Sequence, residues 1–170
     1  IPFIALHTPL ICITVLNAVL LYLSIVLLFK TAIKYCSFRK SFLISLFWGL
    51  FINSYVYIDK ILPEILANFL ICLLLFNLTN AFKSEKSKKY IFLSGFVFGY
   101  MALVKPIFGY VLLTLMICTV ALWLFNRKVD SYRNTIVILV IALTTTMPYL
   151  AHTYKVTGKL FYWSTLGGNN

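Results

Sequence analysis

The sequence predicts an all-α protein, a polytopic bundle of about six transmembrane helices. Three observations point there. Of the 170 residues 62% are hydrophobic and only 11% are charged, with a mean hydropathy of +0.95. Long apolar runs recur along the whole chain, and the basic residues fall in short clusters between them. A soluble domain carries about 25% charged residues, so this chain has too little polar surface to coat a globule in water. The 15 basic and 4 acidic residues give a formal charge of +11. That excess does not mark a nucleic-acid binder, because the cations are not gathered along one polar face. No nucleic-acid partner is expected.

A membrane-crossing helix needs roughly 20 mostly apolar residues. The first such run is 9–29, followed by 42–58 and by 63–82, which opens on Pro63. Next come 90–104 and 107–125, and finally 135–150. The fourth and sixth runs are short, about 15 or 16 residues against the usual 17 to 25. Together, residues 90–126 would make one rod of about 55 Å, too long for a hydrocarbon core of about 30 Å. The rod must break, and Lys105-Pro106 is the place. Proline has no amide hydrogen and disfavours helical geometry in the residue before it, so a hairpin is predicted there. Residues 1–170 are read as one membrane domain, with 151–170 starting an extracytoplasmic segment. The chain opens on Ile1 rather than Met, and a piece of a longer protein is expected.

The loops give an independent count, since cytoplasmic connections gather Lys and Arg. Lys30, Lys34, Arg39 and Lys40 share one loop, Lys83, Lys86, Lys88 and Lys89 another, and Arg127, Lys128 and Arg133 a third. Six crossings place all three loops on the cytoplasmic side and both chain ends outside. His7, Asp59, Lys60, Glu64, Lys105, His152 and the closing Gly167-Gly168-Asn169-Asn170 then fall on the outer side, where chemistry is expected.

Lys105 is the sharpest of these residues. It ends a helix too short to carry it clear of the headgroups, and a charge near hydrocarbon costs about 2.5 to 3.5 kcal/mol unless it meets a cavity, a partner or an anion. A lipid phosphate is such an anion; simple snorkelling from a helix end is the competing account. Asp59, Lys60 and Glu64 flank Pro63. Proline at the first helical position and an acid in the first turn are both favoured, so a helix start with an interfacial ion pair explains them as readily as a general base does. Gly95 and Gly99 form a GxxxG spacing that lets another helix approach closely and would hold the short helix, and hence Lys105, in place. Tyr55, Tyr57, Tyr110, Tyr149 and Trp163 read as an aromatic belt. His7 and His152 lack ligand spacing. Cys12, Cys36, Cys72 and Cys118 include no CxxC pair, so neither a disulfide framework nor a metal site is expected. The sequence supports no metal or other cofactor and contains no nucleotide-binding loop or Ser/His/Asp arrangement.

Four features in order resemble the multi-spanning glycosyltransferases that take a sugar from a polyprenyl-phosphate carrier, a superfamily that includes protein O-mannosyltransferases and lipid A aminoarabinose transferases. They are Leu16-Asn17-Ala18 in a long apolar helix, Ile61-Leu62-Pro63-Glu64 at a helix start, and Gly95-x3-Gly99-x5-Lys105-Pro106. The fourth is Pro148-Tyr149 followed by Gly158-Lys159 and Ser164-Thr165-Leu166-Gly167-Gly168-Asn169. Family members often have Trp after that proline and Arg-Asn soon after; Tyr149 and His152-Thr153 stand in their places. The resemblance implies an inverting transfer from a polyprenyl-phosphate-linked sugar to a glycan, lipid or protein acceptor outside a bacterial inner membrane. It also implies a catalytic aspartate in a loop that would precede Ile1, so no residue here takes that role. Lys105 would hold the leaving phosphate. Asp59, Glu64, His152, Gly167 and Gly168 would line the substrate cavity. Two other readings remain. A secondary transporter or lipid flippase also places lone charges at helix breaks, and a noncatalytic membrane subunit or remnant would leave Lys105 merely snorkelling.

Overall fold

The computed structural model describes residues 10–51, 58, 63–83, 87–126 and 129–159. Among them are six helices and no strand. In chain order these are α1 Leu10–Ala32, α2 Phe38–Gly49, α3 Glu64–Lys83, α4 Ser87–Val104, α5 Pro106–Asn126 and α6 Val129–Thr157. The chain divides into two compact units, Ile1–Phe76 and Asn77–Asn170, with the division falling inside α3.

Among the described residues, four helices contain a stretch both long and apolar enough to cross a bilayer: Ile11–Ala32, Glu64–Phe82, Pro106–Trp123 and Arg133–Thr157. Four of the six expected crossings are thus found on length and composition among the described residues. The second is not among them: α2 has 12 residues, about 18 Å of helix, while residues 52–57 of that span lie outside the described residues. The fourth falls short because α4 begins Ser87-Lys88-Lys89, which leaves only residues 90–104 apolar. The sixth helix is longer than predicted. It has 29 residues and continues through Pro148, although proline offers no amide hydrogen to the carbonyl of Thr144.

In the first unit, α2 packs on α1 through a seam of small residues. Ser41, Ser45 and Gly49, spaced by four, are its buried positions. A Cβ on Gly49 would sit 2.9 Å from Ile25 Cδ1, so the glycine admits the neighbouring helix. The serine hydroxyls donate to carbonyls one turn back: Ser41 Oγ to Ser37 O at 3.0 Å and Ser45 Oγ to Ser41 O at 2.9 Å. Such back-bonding satisfies a hydroxyl without a partner helix. Large side chains point the other way. Phe47 is 80% exposed, while Ser41 is 0% exposed. In water this arrangement would be inside out, whereas hydrocarbon is a good solvent for the outer face and small residues favour close helix contact. At the α1–α2 turn, Phe29 and Phe38 meet edge to face at 5.6 Å, and the Lys34 ammonium lies 5.5 Å from the centre of the Phe76 ring. Buried Asn17 donates from Nδ2 to Ile58 O at 3.0 Å.

The second unit is built on α4 against α6, with α5 packed on both. A Cβ on Gly95 would meet Ile141 Cβ at 2.7 Å and Ile138 O at 2.8 Å; one on Gly99 would meet Ala142 O at 2.6 Å and Thr145 Cβ at 2.7 Å. Both glycines therefore have the α6 backbone pressed directly on them, as GxxxG packing requires. The register also gives direction. Moving four residues along α4 moves the contact four residues along α6 in the same sense, so the two helices run parallel. Ala81, Ile91 and Ile138 form a small buried cluster with Leu78 and Tyr90 packed against it.

Candidate functional site

The α4–α5 joint is one residue long. The Lys105 amide donates to Met101 O at 3.0 Å, closing α4, and the Lys105 carbonyl accepts from Phe108 N at 3.1 Å, opening α5. Pro106 takes the first position of α5, where its missing amide hydrogen costs nothing. The helix break expected from the Lys105-Pro106 pair is thus present, and the side chain of Lys105 is half-buried there.

Extending the Gly95 and Gly99 register by six residues, about 9 Å of rise, brings Lys105 level with residues 148–151 of α6. His152, the next residue along α6, is exposed. Neighbouring Thr153 is buried, and its Oγ1 donates to Tyr149 O at 2.6 Å. Two of the candidate residues, Lys105 and His152, therefore share one end of the second unit. Glu64 belongs to the first unit. It occupies the first turn of α3, half-buried, with Oε2 out of reach of solvent. Asp59, Gly167 and Gly168 lie outside the described residues, as do His7 and Lys60. Gly158, part of the last resembling segment, has φ +68° and donates its amide to Tyr154 O at 2.8 Å, ending α6 with a left-handed cap.

Sequence reasoning missed Asn77, Thr79 and Asn80, which are all buried in the apolar stretch of α3. The available signal was their polarity in the interior of a long apolar run. Among the described residues no three His, Cys, Asp or Glu side chains group to hold a metal ion.

The fold and the composition define a helical membrane protein: apolar helices joined by basic loops, with small polar residues at the contacts and large apolar ones outside. Comparison with family models, curated proteins and solved structures gives no match.

Proposed function

We propose that this chain forms part of a membrane glycosyltransferase that moves a sugar from a polyprenyl phosphate to an extracytoplasmic acceptor. The observation that supports it is the half-buried Lys105 at a one-residue helix joint, at the same end of a glycine-tightened helix pair as His152. A cation held there stabilises the phosphate as it leaves. In this reading an acceptor hydroxyl or amine attacks the anomeric carbon, the bond from that carbon to the phosphate oxygen breaks, and the carrier departs as polyprenyl phosphate. The acceptor proton passes to a carboxylate base supplied from outside residues 1–170. From the resemblance alone, Asp59 and Glu64 are assigned to the acceptor side, and Gly167 and Gly168 to sugar or phosphate.

The topology that goes with this proposal has six crossings, both ends of the chain outside the cytoplasm and a bacterial inner membrane. The parallel course of α4 beside α6 supports counting α4 as a crossing. Its 18 residues reach about 27 Å, close to a hydrocarbon core, with Lys88 and Lys89 at one end and Lys105 at the other.

The test is sugar transfer from a radiolabelled polyprenyl-phosphate donor in membranes that contain the intact protein. Lys105→Ala abolishes transfer while folded protein stays in the membrane, and Lys105→Arg keeps part of it. Unchanged turnover in Lys105→Ala removes Lys105 from the mechanism. Vectorial movement of a solute, with no sugar transferred, would favour a transporter.

A further inference from the structure

The outer face of α2 contains an apolar hollow, and its chemistry is lopsided. Leu43, Ile44, Phe47, Trp48 and Phe51 line a groove of about 460 Å³. All five side chains are exposed. Lys40, Ile44 and Phe47 fall at i, i+4 and i+7, and Phe51 follows at i+11 just past the helix end, so the groove and a cation share one face of the helix. Arg39 is related to Leu43 in the same way. Both cations are exposed in the first turn. That turn has no acid, and its N-cap Ser37 makes no side-chain hydrogen bond to it. The positive end of the helix dipole therefore adds to two positive side chains. Between residues 30 and 51 the sequence has Lys30, Lys34, Arg39 and Lys40, and neither Asp nor Glu. Lys34 is turned onto the Phe76 ring, which leaves Arg39 and Lys40 as the cations at the mouth of the groove.

We propose that this groove is a docking site for one anionic glycerophospholipid, with the headgroup phosphate on Arg39 and Lys40 and an acyl chain laid along Ile44, Phe47 and Phe51. The complementarity selects the occupant. A phospholipid has one anionic end and one long apolar end, in the order that α2 presents cations and then hydrocarbon over about 10 Å of rise. A second copy of the chain would bring the same cations and a net charge of +11 to the contact, so like charges oppose that pairing. The site lies in the first unit and does not depend on any chemistry at Lys105.

Trp48 lines the groove and reports on it directly. In the full chain with Trp123→Phe and Trp163→Phe, Trp48 is the single emitter. The protein is placed in phosphatidylcholine vesicles containing a small fraction of acyl-brominated lipid, either phosphatidylglycerol or phosphatidylcholine. Brominated phosphatidylglycerol quenches at the lower mole fraction, with a preference on the order of ten-fold. The preference shrinks as salt is raised. Arg39→Ala with Lys40→Ala removes it, while Arg39→Lys with Lys40→Arg keeps it, at unchanged helical content by circular dichroism. If the double alanine variant loses helix, Lys40→Gln alone provides the comparison and lowers the preference. Equal quenching by the two headgroups overturns the proposal, as does a preference that survives removal of the cations. Absence of quenching by either lipid would mean that protein covers the groove, and overturns it too.

Discussion

Gly99→Ala sets two physical effects of opposite sign against each other. In an unpacked helix, replacing Gly by Ala stabilises by about 0.5 to 1 kcal/mol, because alanine loses less backbone entropy on folding. Packed as described, the new methyl would lie 2.6 Å from Ala142 O and 2.7 Å from Thr145 Cβ. That is roughly 0.7 Å short of ordinary contact. A main-chain carbonyl cannot swing aside as a side-chain tip can, so α4 and α6 must separate along their whole shared seam. Overpacking of this kind costs about 1 to 3 kcal/mol, and the net sign is destabilising. The assay is reversible unfolding of the detergent-solubilised chain in increasing mole fractions of sodium dodecyl sulfate, followed by circular dichroism. Phe96→Ala serves as the control. Phe96 lies in the same turn of α4 but is exposed, and outward substitutions change stability by less than about 0.5 kcal/mol. A Gly99→Ala protein as stable as the parent, or more stable, would show that α4 is not seated on α6, and the placement of Lys105 and His152 at one end of that pair would fall with it.

Gly49→Ala should be nearly neutral despite a similar 2.9 Å approach, since the atom it meets is Ile25 Cδ1, the end of a flexible side chain; the same unfolding series checks this. Asn17→Ala loses the bond to Ile58 O and should cost about 0.6 to 1.7 kcal/mol, the range for polar contacts inside membranes, read from the same curves. A cysteine placed by Ser87→Cys should react with membrane-impermeant maleimide only from the cytoplasmic side; labelling from outside reverses the proposed topology.

Much of the second unit was legible because its signals are local. A proline after a lysine in an over-long apolar run had to break the helix, and α4 and α5 do divide at Lys105. Gly95 and Gly99 announced a close helix contact, but not which helix supplies it. That partner, α6, is about 45 residues away in sequence, and nothing in the spacing of two glycines encodes a distant surface. The length of α6 was misread at both ends: the predicted span 135–150 already ran through Pro148, but the polar turns that extend the helix to Val129 and Thr157 have no apolar signal. The brevity of α2 was hidden because hydropathy continues unbroken past Gly49 to Leu50 and Phe51. Of the candidate site, the loop charges already put Lys105 and His152 on one side, but that their helices are packed partners in parallel register was not encoded in either segment. Asn77 and Asn80 went unread because burial of an amide depends on packing.

The Ser41, Ser45 and Gly49 seam bears on any saturation mutagenesis of α2. Tolerance should rise and fall with a period near four residues, but in antiphase to the profile of a water-soluble amphipathic helix. Phe47 should accept almost any oily replacement, while bulk at Ser45 should be lethal to the fold. Engineering rules learned from aqueous enzymes, which protect large residues and spend serines freely, would therefore damage this segment first.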